Sequence, residues 1–418
     1  MDPQTGDTKD QPGDDVWEQS SLEEDQGQER VSGPLSLGLL ERQMGQPSQL
    51  VPVQTLPVQP RHQARRRGKI GRLPIFVGIL LGAVLLLPLL TAPRISCKCV
   101  TAPTPIPTYA QQGLPTLPAS TDIFMTPETT STFAEYALLQ GGSPFGIVVG
   151  PDGAIWFTLA NSNQIGRLTP DGHLRLFGGV AYGPEHIAVG PDGNLWITQY
   201  NSSQVIRFSP DGNHQNFQGS GGPISNLTAG PDGGLWFTEP ESNKIGRFSM
   251  DGQVREFPVP TSDSRPLGIT SGPDGNLWFT EYKSAQVGRI TPDGQITEFR
   301  LPAGSTGPYG IITGHDKQLW VIEPVSGVMV RMTTRGTTRQ FQLPFTNNSS
   351  SSLAVGTDGN IWFTDYDQIG SITPAGSVNM FTIPTLDGQI SGLAAGPAGT
   401  LWFTEFFSCK IGEFKING

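Results

Sequence analysis

The chain has 418 residues, with 27 Lys and Arg against 37 Asp and Glu, a formal charge of −10 at pH 7. That balance, with no basic and aromatic patch, excludes a nucleic-acid partner. Three cysteines without zinc-ligand spacing exclude a disulfide-built scaffold or a structural zinc site, and there is no Walker loop and no Ser-His-Asp set with a nucleophile elbow.

Residues 1–60 hold eleven acids and three bases (Lys9, Arg30, Arg42), with much Gln, Gly, Ser and Pro. Such a composition cannot bury a core and predicts a disordered acidic cytoplasmic tail. It also accounts for most of the net charge, which therefore says little about a ligand of the remainder. Residues 61–72 form a basic segment carrying Arg61, Arg65, Arg66, Arg67, Lys69 and Arg72.

From Leu73 to Ala92 run about twenty residues without a charge, long enough to cross a lipid bilayer as one helix. The basic flank places the N-terminus in the cytoplasm and the rest outside. A cleaved signal peptide fits less well, because about sixty residues precede the basic flank and no small-x-small site follows the span. Arg94 stands where lipoprotein processing at Cys97 needs an apolar residue. Cys97 and Cys99 are too close in sequence for a relaxed mutual bridge, leaving juxtamembrane thiols or links between two chains. Residues 93–131, rich in Pro and Thr, are expected to be an extended extracytoplasmic spacer.

Beyond the spacer, a motif built on Gly-Pro-Asp-Gly-x-Leu/Ile-Trp recurs seven times at spacings of 40 to 42 residues, ending on Trp156, Trp196, Trp236, Trp278, Trp320, Trp362 and Trp402. A period in the forties with two turn signals per unit predicts an all-β fold, a seven-bladed β-propeller with one blade per repeat. Residues 266–299 show the unit. An apolar strand from Pro266 meets the turn Gly272-Pro273-Asp274-Gly275, where Pro presets φ and Gly accepts the left-handed position. Leu277–Glu281 and Gln286–Thr291 follow as strands, and Pro292-Asp293-Gly294 turns the chain into Gln295–Phe299.

The last repeat stops after its third strand, Ile411 to Phe414. Upstream of the first repeat, Phe133 to Leu138 resembles a stray fourth strand. It should pair into the last blade and remove two open sheet edges. The propeller is therefore expected over residues 132–418, as a monomer.

The block Gly-Pro-Asp-Gly-Asn-Leu-Trp-Phe-Thr-Glu, followed by Ile-Gly-Arg-Ile-Thr-Pro-Asp-Gly-x-Ile-Thr-Glu-Phe-x-Leu-Pro, resembles the virginiamycin B (streptogramin) lyases over residues 133–418. The resemblance implies a magnesium-dependent carbon–oxygen lyase that opens a cyclic depsipeptide antibiotic at its ester by elimination. In that chemistry a base removes the proton alpha to the ester carbonyl while the metal stabilises the enolate. The family's functional residues fall at set distances from the repeat Trp, and at those places this chain has Phe145, Ser351, Gln389, Ser391 and Glu405. Of these, Glu405 alone matches, and no His stands at any of the seven positions eleven before a Trp: Phe145, Glu185, Ser225, Leu267, Tyr309, Ser351 and Ser391.

These seven are expected to face the channel. Glu185 and Tyr309 depart from their repeats near its mouth. His186 sits one position later, where strand alternation predicts that it turns away. Glu405, Glu185 and His186 are the candidate catalytic groups. Glu405 is also one of a series with Glu239, Glu281 and Glu323, and a residue repeated in most blades points to a structural role. Two functions follow: a propeller that binds an extracellular peptide, glycan or protein at its channel face, and a lyase that uses magnesium.

Overall fold

The computed structural model describes residues 122–416 apart from 140, 220 and 345–351. The tail, the apolar segment Leu73–Ala92, Cys97, Cys99 and Ser351 lie outside the described residues. Among the described residues no helix is long and apolar enough to cross a membrane.

Seven antiparallel sheets form a ring of blades, and in five of them the strands follow chain order from the inner to the outer strand. Blade 4 is representative. Pro266–Ser271 is innermost, followed by Leu277–Glu281, Gln286–Ile290 and Ile296–Arg300. The second strands are buried on both faces, because each is covered by the neighbouring blades. The repeat tryptophans are its anchors; Trp156, Trp196, Trp236, Trp278, Trp320 and Trp402 are wholly buried.

The turn Asp explains why Trp recurs with Gly-Pro-Asp-Gly. Asp232 Oδ1 accepts the Trp236 indole N–H at 3.0 Å, and its other oxygen pairs with Arg247 Nε at 2.5 Å. Asp152, Asp192 and Asp316 make the same double link. A buried indole needs an acceptor, and the carboxylate supplies one while tying the first turn to the third strand. In blade 7 Ala398 replaces the Asp, and Thr400 Oγ1 accepts from the Trp402 indole at 3.2 Å.

Closure follows the sequence expectation. Phe133–Ala137 is the fourth strand of blade 7, pairing Phe133 with Phe414 and Tyr136 with Ile411. The boundary at residue 132 is corrected, however. Asp122–Phe124 adds a fifth strand to blade 1, against His173 to Arg175, and Glu128–Thr129 adds one to blade 7. Residues 122–129, expected in the spacer, thus cover the outer edges of the two blades that meet at the closure, where unpaired backbone would otherwise face water.

Candidate ligand-binding site at the channel mouth

Each inner strand enters at the same end of the ring, close to the residue eleven before the repeat Trp. Six blades carry a Thr two residues after that Trp, blade 5 having Ile322 there, and this Thr fixes the entry. Its hydroxyl accepts a backbone N–H of its own blade: Gly146 to Thr158 at 2.8 Å, Gly268 to Thr280 at 2.9 Å, Gly392 to Thr404 at 2.8 Å. It donates to the rim carbonyl of the next blade: Thr158 to Glu185 at 2.6 Å, Thr238 to Leu267, Thr280 to Tyr309 and Thr404 to Phe145, each at 2.7 Å. One hydroxyl thus uses both its donor and its acceptor capacity to join two blades.

The blades approach so closely that the residue ten before the Trp is Gly in four of them, at Gly146, Gly268, Gly310 and Gly392. A Cβ on Gly146 would stand 2.3 Å from the Glu185 carbonyl oxygen, and one on Gly268 would stand 2.5 Å from that of Tyr309. Blades 2, 3 and 6 carry His186, Asn226 and Ser352 at this place, and all three line the axial cavity. Thr after the Trp and Gly before it are legible in the sequence as repeats. Their joint meaning, an interblade clamp, needs the ring.

The cavity measures about 360 Å³, and every blade contributes to its wall. Of the predicted channel-face residues, Phe145, Ser225, Leu267, Tyr309 and Ser391 line it. Glu185 is half-buried and stands at the rim rather than on the wall. Its influence still reaches inward: burial first, then the charge of Glu185, pushes the Tyr309 phenol up to about 12.

The placement of His186 is a correction. Alternation turns it away, but the register shifts between Pro184 and Ile187. Such a bulge re-aims side chains, and His186 lines the cavity beside Phe145, ring to ring at 5.4 Å in an edge-on contact. Phe406, which the sequence did not single out, continues this arc at 6.3 Å from Phe145. Burial draws the His186 imidazole down to about 4, so it is uncharged at neutral pH.

Glu405 lies elsewhere. It is wholly buried and does not line the cavity. Its Oε2 accepts from Ser408 Oγ at 2.5 Å. Glu239 with Ser242, Glu281 with Ser284 and Glu323 with Ser326 repeat the link at 3.0, 2.9 and 2.8 Å. These carboxyls sit beneath the loops that enter their blades: Thr306 N–H donates to Glu323, and a Cβ on Gly388 would be 2.9 Å from Glu405 Oε2. The series is a repeated loop anchor, and burial followed by the charge of Glu135 raises the Glu405 pKa. Gln389, at the other family position, donates its backbone N–H to Asp367 Oδ1 at 3.1 Å.

Magnesium takes oxygen ligands and is usually held through one or two carboxylates. Among the described residues no three His, Cys, Asp or Glu side chains gather to hold a metal ion. The one matching carboxylate, Glu405, is committed under its loop.

Fold and mouth together define a seven-bladed propeller with one axial cavity open to ligands. Residues 176–418, more than half of the chain, match the Virginiamycin B lyase family, and the chain belongs to that family. A solved streptogramin B lyase is 30% identical, with a TM-score of 0.64 over 67% of this chain and 96% of that one. A catalytically inactive virginiamycin B lyase from Staphylococcus aureus, solved with quinupristin, is 31% identical with a TM-score of 0.63 over 68% and 98%.

Curated relatives match over short blocks. The virginiamycin B lyase of Bordetella pertussis is 58% identical over 33 residues, 8% of this chain and 11% of that protein. That of Saccharopolyspora erythraea is 61% identical over 31 residues, 7% and 10%. The extracellular domain of a hybrid two-component system from B. thetaiotaomicron, at 17% identity and a TM-score of 0.55 over 66% of this chain and 39% of that one, shares the fold.

Proposed function

We propose that this propeller binds an extracellular peptide, glycan or protein at its channel mouth and does not turn it over. The observation that carries this reading is the chemistry of the cavity wall. Its ionisable side chains are His186, drawn down to about 4, and Tyr309, pushed up to about 12. A general acid or base works best with a pKa near the operating pH, and neither group meets that condition. The rest of the wall, with Phe145, Leu267, Ser225, Asn226, Ser352 and Ser391, offers apolar contact and hydrogen bonds, the usual composition of a binding pocket.

Family membership favours a second reading, a magnesium-dependent lyase that linearises streptogramin B-type depsipeptides and confers resistance. Incubating the purified propeller with a streptogramin B antibiotic and magnesium, followed by mass spectrometry, separates the two. Intact antibiotic supports binding without turnover. Magnesium-dependent linearisation, lost in Glu185→Gln or Glu405→Gln, establishes the lyase.

The proposal includes anchoring through Leu73–Ala92, with the N-terminus inside and the propeller outside. The basic flank and the uncharged run support it. Protease added to intact cells should remove the propeller and spare the tail; the opposite pattern reverses the orientation.

A further inference from the structure

The polarity of the axial cavity deepens the binding reading, on which this inference rests. Among the described residues no Asp, Glu, Lys or Arg lines it. Its ionisable groups, His186 and Tyr309, are both uncharged at neutral pH. The charges that act on the wall from outside oppose each other: burial, then Glu185, raises the Tyr309 pKa, while Arg265 lowers it. A charged group moved from water to this wall would meet no counter-charge there. That costs far more than burying a neutral group whose hydrogen bonds are met.

The wall is nonetheless rich in polar groups. His186, Ser225, Asn226, Tyr309 and Ser391 line the cavity and are half-buried. Their backbones are engaged: the N–H groups of His186 and Asn226 donate to Thr198 and Thr238 Oγ1 at 3.1 and 3.2 Å, and that of Tyr309 to the Ile322 carbonyl at 2.9 Å. Their side chains make no hydrogen bond to another described residue, and none of these polar atoms is sealed from solvent. Ser352 differs, since its Oγ already accepts the Leu393 N–H at 3.0 Å.

The five free groups share one property. Each Ser or Tyr hydroxyl donates and accepts through a single atom, and a neutral imidazole or an amide carries both functions. A ligand that satisfies all of them needs several uncharged groups that also donate and accept, which describes sugar hydroxyls. A peptide holds its N–H and C=O on separate atoms with fixed directions. Phe145 adds an aromatic ring to the same wall. The face of such a ring is negative and suits the C–H bonds of a sugar, which their oxygens polarise positive. At about 360 Å³ the cavity falls at the small end of ligand pockets, about 300–1,000 Å³, so the end of a chain enters it.

We infer that the ligand of this cavity is an uncharged saccharide, whose terminal unit packs on Phe145 and hydrogen-bonds Ser225, Asn226, Tyr309 and Ser391.

The test is calorimetric titration of the purified protein in weakly acidic buffer, where His186, at about 4, is still uncharged. The probes are the neutral trimers of glucose, mannose, galactose and N-acetylglucosamine, the charged trimers of galacturonate and glucosamine, and an acetylated, amidated pentaserine. At least one neutral trimer should bind saturably, with little change between low and high salt, and the charged trimers should bind at least about tenfold more weakly. Tyr309→Phe, which keeps the ring, and Ser391→Ala should each weaken binding by about three- to tenfold. Gln215→Ala, exposed on an outer strand, should leave it unchanged. Charged trimers binding as tightly as neutral ones, or binding indifferent to Tyr309 and Ser391, overturns the inference. Pentaserine binding that depends on Tyr309, without saccharide binding, overturns the ligand class and keeps the binding reading. Silence from every probe also overturns the inference. The binding reading fails separately, on magnesium-dependent linearisation of a streptogramin B by the same preparation.

Discussion

Glu135 and Lys410 lie 275 positions apart, yet the carboxylate accepts a hydrogen bond from the ammonium at 2.7 Å. Glu135 also takes the backbone N–H and hydroxyl of Thr385, at 3.2 and 2.6 Å. In blade 4, Glu298 holds Thr261 in the same two ways, at 2.8 and 2.9 Å. The N-terminal strand therefore supplies the carboxylate that a regular fourth strand would carry. Because Glu135 is 3% exposed, Glu135→Ala leaves Lys410 without its buried partner. The expected loss is about 3 kcal/mol in urea unfolding, and removal of residues 132–139 should expose the sheet edge and cause aggregation. A soluble deletion protein of unchanged stability argues against this closure.

Glu281 titrates near 4.5 in an unfolded chain and is raised to about 7 here, first by burial and then by Glu298. Across that window the folded state keeps a proton that the unfolded state has lost. Stability from this group is therefore greatest below about 4.5 and declines as pH rises to about 7. Glu281→Gln keeps the shape and removes the titration. Its urea midpoint should vary less between pH 5 and 8 than that of the wild type, and identical slopes would reject the assignment.

The turn carboxylates have the opposite sign. Burial raises the Asp232 pKa, but hydrogen bonds from Trp236 and Arg247 outweigh it and hold the group below its ordinary value. Its contribution is present above the unfolded pKa and is lost as pH falls through the folded one. Asp232→Ala strips the acceptor from a buried indole, at a cost of about 2 kcal/mol. Thermal and urea unfolding at pH 7 measure it, and a loss below about 0.5 kcal/mol would contradict the role.

Gly268→Ala tests the interblade clamp. The added Cβ would lie 2.5 Å from the Tyr309 carbonyl oxygen and 3.2 Å from Ile311 N, so the inner strand of blade 5 must move. Overpacking of this kind costs about 1–3 kcal/mol, and here it also displaces Tyr309 from the mouth. Gly178→Ala, whose Cβ would meet nothing nearer than Gln164 Nε2 at 3.8 Å, is the tolerated control. Equal unfolding midpoints for the two variants would remove the close approach as the reason for Gly.

The sequence by itself determined the seven blades, their strand order and the split last blade. Those features rest on local chemistry repeated in register: a Pro-Asp-Gly turn, a Trp four residues after the Asp, and an alternating strand on either side. It determined the closure as well, because Phe133 to Leu138 is a recognisable copy of a strand missing elsewhere. The strand Asp122–Phe124 carries no such copy; its pairing of Ile123 with Leu174 depends only on an uncovered edge far along the chain. The tertiary structure alone decided the mouth. A register shift before Ile187 brings His186 onto the wall, the ring sets Glu185 at the rim, and the loop above Glu405 turns a matching carboxylate into a buried anchor. Each outcome depends on contacts between blades, and a repeat read one unit at a time contains no neighbouring blade.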